Sequence, residues 1–74
     1  MCPLHYLLPG EDATVAVVHG DAPLRQRLAA LGVRPGRLLR LVRRGAFAGP
    51  LHLRLGTTDV ILRRHHAHAI LVRR

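Results

Sequence analysis

Apolar residues recur at two different spacings in this chain, and each spacing predicts one kind of element. Within residues 51–55, leucine alternates with histidine and arginine, which predicts a strand with one covered face. Within residues 21–31, Leu24, Leu28 and Leu31 are four and three residues apart, which predicts a short helix with one apolar side. Further strands are predicted where β-branched residues and leucine are concentrated, at residues 13–19, 37–44, 58–62 and 69–72.

The predicted helix has a marked start, a marked end and a turn directly behind it. Asp21 can accept hydrogen bonds from the free amides of the first turn, where Pro23 lacks an N–H at no cost. Gly32 stands where helices commonly end in a left-handed residue, and we expect Val33 to fold back on the last turn. Residues 34–36, Arg-Pro-Gly, favour a type II turn. Because a helix of about ten residues is marginal alone, we expect its leucines to be buried against the strands.

The order of these elements predicts a mostly β, single-domain protein, residues 1–74, with one short α-helix between the first and second of five strands. Residues 51–55 and 58–62 are expected to form a hairpin around Gly56. So few residues cannot build a flat two-layer sheet. We therefore expect the strands to close into a small barrel, which removes exposed strand edges.

The N-terminal segment is interrupted by proline and glycine, so it allows at most a single turn. Leu4, Leu7 and Leu8 are available to plug one end of the core. Cys2 is the only cysteine and cannot form an internal disulfide, which is consistent with a reducing compartment. Cys2 and His5 are close in sequence and could share a metal with His52 or His19, but nothing in the spacing requires it. A flexible terminus is expected instead.

The chain is strongly basic, with a formal net charge of +8 that comes from twelve arginines and no lysine. One interpretation is a nucleic-acid partner. The other is that the charge is compositional, because arginine without lysine beside abundant alanine, leucine and glycine fits a GC-rich genome. No apolar run is long enough to span a bilayer and no signal-peptide order is present, so a cytoplasmic protein is expected.

Three groups of residues occur in an order and spacing that resemble a known family. They are Leu31-Gly32-Val33-Arg34-Pro35-Gly36, then Val42-Arg43-Arg44 with Phe47, Gly49 and Pro50, then Leu62-Arg63-Arg64 with Ala67 and Ile70. Over residues 4–72 the chain resembles FeoA-type proteins, the small cytosolic companions of the FeoB ferrous-iron permease. His65 and His66 depart from the pattern, because acidic residues are frequent there in relatives.

The resemblance implies an SH3-like barrel with no catalytic residues, acting as an accessory protein of ferrous iron uptake by binding the permease. The same domain occurs at the C-terminus of iron-dependent repressors, so a regulatory or nucleic-acid-binding role is the alternative. No cofactor is implied. The chain itself has no serine and shows no nucleophile–base–orienter set, so an enzyme is not expected.

His65, His66 and His68 form the densest group of possible metal ligands. On one helical turn, however, His65 and His68 share a face while His66 points elsewhere, and no cysteine or carboxylate completes a set. We therefore expect a solvated turn, histidines that titrate near their free values and no metal site.

Binding to nucleic acid or to a membrane surface has weaker support. Binders of single-stranded nucleic acid pair basic grooves with stacking aromatics, and only Tyr6 and Phe47 are available here. Arg73 and Arg74 could attract an anionic membrane, which would suit a protein working beside a permease.

The predicted partner-binding surface consists of Arg25, Arg27, Arg34 and Phe47. If the helix buries its leucines, Arg25 and Arg27 face outward, with Arg34 in the turn just behind. Phe47 lies in a Gly/Ala loop that cannot bury it, and an exposed aromatic beside arginine is typical of protein–protein hot spots. The alternative is that Phe47 folds over the barrel mouth as a plug and the arginines are ordinary solvated residues.

Overall fold

Strands dominate the structure, and the predicted pattern of elements is largely present. The computed structural model describes all 74 residues. Its elements, in chain order, are β1 (Cys2–Pro3), a 3-10 turn (Leu4–Tyr6), β2 (Asp12–Val18), α1 (Ala22–Ala30), β3 (Leu38–Arg44), β4 (Leu51–Leu55), β5 (Thr58–Leu62), α2 (Arg64–Ala67) and β6 (Ile70–Arg73). No helix is long and apolar enough to cross a membrane.

All six strands belong to one antiparallel sheet with the order β1-β6-β2-β3-β4-β5. The pairing shifts register between Val15 and Val17 and again between Leu41 and Arg43. Such bulges bend a strand and increase its twist, which lets the sheet curl around one core. β1 and β5 stand at the two ends of the order and are not paired with each other, so the predicted closure by hydrogen bonds is not seen.

One face of every long strand supplies the core, as the alternation of leucine with polar residues predicts. Leu51, Leu53 and Leu55 of β4 are fully buried, whereas His52 and Arg54 between them are not. All 16 buried residues are apolar and none is aromatic. The core therefore depends on the packing of leucine, valine, isoleucine and alanine.

Helix α1 begins and ends as predicted. Oδ1 of Asp21 accepts a hydrogen bond from the backbone N–H of Leu24 at 3.0 Å. At the other end the N–H of Gly32 bonds to the carbonyl of Ala29 at 3.0 Å, and the N–H of Val33 bonds to that of Leu28 at 2.9 Å. These two bonds form a Schellman motif, and the φ of +96° at Gly32 is the left-handed value that the motif requires.

The prediction that α1 buries three leucines is wrong for Leu31. Leu28 is fully buried and Leu24 packs partly against the core, but Leu31 is 40% exposed. Leu31 is the C-cap residue of α1, directly after the last helical residue, Ala30. The chain reverses at once and brings Val33, 1% exposed, into the core beside Leu28. The apolar contact that follows a Schellman motif thus comes from Val33 rather than from Leu31.

The N-terminus is packed and paired rather than flexible, which corrects the prediction for this segment. Cys2 and Pro3 pair with Val72 and Leu71 of β6 and form the sixth, unpredicted strand. Leu4 and Leu7 are fully buried, as expected of a plug. Leu8, predicted to join them, is 66% exposed, because the chain turns outward at Pro9 and Gly10.

Candidate partner-binding site

Helix α1 places Arg25 and Arg27 in solvent, whereas Leu28 is buried. The guanidinium of Arg25 donates a hydrogen bond to the carbonyl of Gly20, which fixes it beside the start of the helix. Arg27 has no carboxylate partner. It lines an open groove of about 460 Å³ whose opposite wall includes His66 of α2.

Arg34 is exposed in the turn between α1 and β3. Its carbonyl accepts a hydrogen bond from the N–H of Arg37 at 3.0 Å, and Gly36 at the third position has a φ of +90°. This is the type II turn predicted from Pro35-Gly36. The turn follows α1 directly, so it holds Arg34 at the same end of the molecule as the end of the helix.

Phe47 lies at the tip of the β3–β4 loop and is completely exposed, at 102% of its reference area. The alternative prediction, that Phe47 plugs the core, is therefore wrong. The loop is closed by hydrogen bonds from the N–H of Gly45 to the carbonyl of Pro50 (2.8 Å) and from the N–H of Gly49 to that of Ala46 (3.1 Å). A Cβ at Gly45 would approach the Pro50 ring to 2.9 Å, so the two ends of the loop close tightly against each other.

The backbone at the tip of this loop is strained. Phe47 and Ala48 have φ values of +54° and +59°, a left-handed conformation that costs a residue with a Cβ about 1–2 kcal/mol. Strain of this kind is concentrated at binding and switch sites. The loop thus presents a fully exposed aromatic ring between two alanines.

The structure does not bring Phe47 together with the three arginines. Arg34 lies just before β3 and Phe47 just after it. A strand of seven residues spans about 20 Å at roughly 3.3 Å per residue. The four predicted residues therefore form two separate parts of the surface rather than one ridge.

The structure shows further residues near Phe47 that the prediction missed. Arg43, His52 and Ile61 stand side by side on the outer faces of β3, β4 and β5, since Arg43 pairs with His52 and His52 with Ile61. Together with Arg44, Gly45 and Pro50 they line a groove of about 290 Å³ at the base of the loop. Ile61 is 65% exposed. The alternation of β5 contains this signal, because burying Val60 and Leu62 leaves Ile61 outside.

Two of the four carboxylates form bidentate pairs on the outer face of the sheet. Asp12 accepts hydrogen bonds from Arg40 at 2.7 and 3.2 Å, and Asp59 accepts them from Arg54 at 2.8 and 3.2 Å. The Arg40 hydrogen bond lowers the pKa of Asp12. The hydrogen bond from Arg54 and then the contact with His52 lower the pKa of Asp59 to about 2. Nε2 of His52 lies 3.0 Å from Oδ2 of Asp59 without the alignment of a hydrogen bond.

The other two carboxylates are also engaged. Glu11 contacts Arg74 at 3.0 Å and accepts a hydrogen bond from the N–H of Leu8 at 2.9 Å. Asp21 caps α1. Three arginines of the twelve have a carboxylate partner, which leaves nine without one. Because Arg74 also binds the carbonyl of Tyr6, only Arg73 of the C-terminal pair is free to attract an anionic surface.

The histidines of α2 lie among positive charges. The rings of His65 and His66 are 4.1 Å apart and tilted by 57°. Burial first, and then the charges of His65, Arg27 and Arg63, lower the pKa of His66. The expectation that the histidines titrate near their free values is therefore wrong for His66, and it is also wrong for His5. An uncharged His66 at neutral pH adds no further positive charge to this end of the molecule.

His68 does not join its neighbours but stacks on His5 of the N-terminal turn, with ring centroids 4.2 Å apart. Burial, followed by the charges of His68, Arg64 and Arg44, lowers the pKa of His5. Nowhere do three histidine, cysteine or carboxylate side chains converge in a way that could hold a metal ion. That the protein binds no metal stays a prediction.

Comparison with known proteins identifies the family. The model of the FeoA domain matches residues 2–74. No curated protein matches. A crystal structure of the iron uptake regulatory protein FeoA superimposes with a TM-score of 0.89 at 25% identity, over 96% of this chain and 93% of that one.

Two further solved structures are similar. The FeoA protein from Chlorobium tepidum gives a TM-score of 0.88 at 28% identity, over 96% of this chain and 68% of that one. A manganese-dependent transcriptional repressor gives 0.87 at 28% identity, over 96% of this chain but only 40% of that one. These likenesses confirm the predicted mostly β, SH3-like fold. The chain therefore belongs to the FeoA domain family, and this membership implies involvement in ferrous iron transport.

Proposed function

We propose that this protein acts without catalysis in ferrous iron uptake, by binding the cytosolic part of a FeoB-type permease. The FeoA domain is a small accessory domain and not a known enzyme family. The observation that carries the proposal is the uncompensated charge: every carboxylate is engaged within the chain, while nine arginines have no carboxylate partner. An acidic protein surface would compensate that charge.

The contact surface in this proposal has two parts. Arg25, Arg27 and Arg34 supply exposed positive charge at one end of β3, and Phe47 supplies an exposed aromatic anchor at the other. A standard interface covers about 800 Å² on each partner, which is roughly 28 Å across and wide enough to reach both parts. Charge attraction would mainly raise the association rate, whereas Phe47 would govern dissociation.

Calorimetry with the isolated cytosolic part of the permease tests the proposal. We expect Phe47→Ala to weaken binding about tenfold or more, because hot-spot aromatics contribute at least about 1–2 kcal/mol. Arg27→Glu should also weaken it, and more so at low salt. Arg73→Glu on β6 is the matched control, since it changes the net charge equally at another place. No binding by the wild-type protein would contradict the proposed function.

A second candidate is a regulatory role, favoured by the likeness to the manganese-dependent transcriptional repressor. This chain spans 40% of that protein, so it matches one part of it. If the chain binds a specific DNA site, its affinity should exceed that for unrelated duplexes by about a thousandfold or more at physiological salt. Equal, steeply salt-dependent affinity for all duplexes would indicate charge attraction alone.

A further inference from the structure

Strand β5 is an open edge of the sheet. It stands last in the strand order and pairs only with β4, through a turn at Gly56-Thr57. In a two-residue hairpin the residues that flank the turn, here Leu55 and Thr58, form a hydrogen-bonded pair, and such pairs alternate along the ladder. Thr58, Val60 and Leu62 therefore bond to β4. Asp59 and Ile61 direct their N–H and C=O groups away from the sheet.

The side chains along this edge do little to protect it. Natural edge strands are commonly blocked by charges, prolines or bulges. The β5 edge has no proline or bulge, and its one charged side chain, Asp59, is engaged by Arg54 and His52 on the outer face. Ile61, one of the two β5 residues whose backbone groups point away from β4, has an apolar side chain that is 65% exposed.

Apolar surface and positive charge continue beyond the end of β5. Ile61 borders the groove at the base of the loop that carries Phe47. Arg63, the next residue of the same alternation, is exposed and has no carboxylate partner. Arg43, two strands away on the outer face, also has none. Of the four acidic side chains, Glu11, Asp12 and Asp59 are each paired with another arginine, and Asp21 caps α1.

We propose that β5 is a docking edge for an extended, acidic segment of a partner protein, which adds to the sheet as a seventh strand. The backbone groups of Asp59 and Ile61 hold the segment by main-chain hydrogen bonds. An apolar side chain of the segment packs against Ile61, and a carboxylate beyond it lies near Arg63. The inference goes beyond the proposed function, because it concerns a binding mode that does not depend on the identity of the partner.

Other occupants fit the surface less well. A lipid bilayer could accept Phe47 and Ile61, but it would leave the edge N–H and C=O groups without hydrogen bonds in hydrocarbon, which costs several kcal/mol per group. A second copy of this chain would bring a second net charge of +8 to the same place. An acidic strand satisfies the backbone groups and the charge together.

The first test uses two capped eight-residue peptides that carry valine and a charged residue two positions apart on the same face, with threonine at the other positions. The charged residue is glutamate in one peptide and lysine in the other. In the free protein the amides of Asp59 and Ile61 should exchange quickly with solvent, because they lack partners. The glutamate peptide should slow exchange at these two amides about tenfold or more, as expected for a newly formed hydrogen bond. The lysine peptide should not. Absence of protection at both amides, or equal protection by both peptides, overturns the proposal.

The second test separates backbone pairing from side-chain contact. Ile61→Pro removes the isoleucine side chain together with an N–H that faces away from β4, a position at which edge strands tolerate proline. Ile61→Ala removes the same apolar side chain but keeps the N–H. If β5 is the docking edge, Ile61→Pro should weaken binding of the glutamate peptide about tenfold more than Ile61→Ala does. Equal affinities of the two variants contradict strand addition.

Folding of the variants is checked by amide exchange at Val60, whose N–H bonds within the hairpin. Should Ile61→Pro lose that protection, the exchange experiment on the wild-type protein decides alone. Binding of the permease fragment is measured separately. Loss of the peptide effect with intact permease binding would reject the docking edge and leave the proposed function standing.

Discussion

At the scale of single residues, this fold depends on a few positions where the backbone enters the left-handed region. Gly32 and Gly36 adopt φ values of +96° and +90°, and they turn the chain from α1 into β3. Glycine occupies both positions because it alone enters this region without strain. Phe47 and Ala48 enter it without being glycine, which marks their loop as the place where the chain accepts strain.

We expect Gly32→Val to destabilise the protein by about 1–2 kcal/mol or more through backbone strain. A Cβ built at Gly32 meets nothing closer than 3.9 Å, so overlap of the Cβ itself is not the cause. Chemical denaturation measures the change. Gly32→Asn is the control, since asparagine tolerates the left-handed region and should cost less. If valine and asparagine gave the same unfolding free energy as glycine, the account of the helix end would be wrong.

A second prediction at this scale concerns Asp59 and acid. Its pKa in the folded protein, lowered to about 2 by Arg54 and His52, lies below the ordinary value of 3.8. The contact therefore stabilises the fold above pH 3.8, and its contribution is lost as the pH falls towards 2. We expect Asp59→Asn to be less stable than wild type at neutral pH and equally stable near pH 2. A stability difference that persists unchanged in acid would contradict this assignment.

At the scale of elements, α1 is held by one leucine and one valine rather than by a stripe of three leucines. Leu28 and Val33 are buried, and the N–H of Val33 donates a hydrogen bond to the carbonyl of Leu28. The helix is only nine residues long, so it depends on this contact for stability.

Leu28→Ala should destabilise the protein by about 2–5 kcal/mol, because it leaves a cavity between α1 and the sheet. Leu31→Ala is the matched control from the same helix end and should cost less than Leu28→Ala, because Leu31 is already 40% exposed and leaves no enclosed cavity. Thermal and urea unfolding measure both. A total free energy of unfolding of about 4–11 kcal/mol is expected for a chain of this length. Leu28→Ala should therefore shift the unfolding transition strongly. Similar costs for the two variants would contradict the observed burial.

At the scale of the whole molecule, the dominant feature is charge that the fold does not neutralise. The molecule measures 29 by 24 by 23 Å, and nine of its arginines have no carboxylate partner. The three arginine–carboxylate pairs are exposed and contribute about 0–1 kcal/mol each. Repulsion among the unpaired arginines should therefore outweigh them.

We expect the thermal midpoint to rise as NaCl increases from about 0.01 M to about 1 M. Over that range the Debye length falls from about 30 Å to about 3 Å, that is, from the size of the molecule to the distance of one contact. Screening then weakens the repulsion across the whole surface. A midpoint that falls with NaCl would mean that the ion pairs dominate. Sodium sulfate at matched ionic strength is the control for a specific anion effect.

The candidate site could be predicted only in part. The exposure of Arg25, Arg27 and Phe47 follows from local pattern. The spacing of the leucines directs the two helix arginines to solvent, and the small residues around Phe47 are too small to bury its ring. Their separation does not follow from local pattern. It depends on β3, whose length and direction carry the chain from the arginine turn to the Phe47 loop.

What the sequence determines by itself is the set of elements and their ends. Alternating leucines, the cap at Asp21 and the glycines behind α1 act through hydrogen bonds and spacings that span a few residues, so they can be recognised in the chain alone. The tertiary structure decides what depends on residues far apart in sequence. Pairing of Cys2 with Val72 makes the N-terminus a strand, and the strand order leaves the edge of β5 open. The same long-range packing selects Val33 over Leu31 for the core, because only the folded sheet defines which side chain it covers.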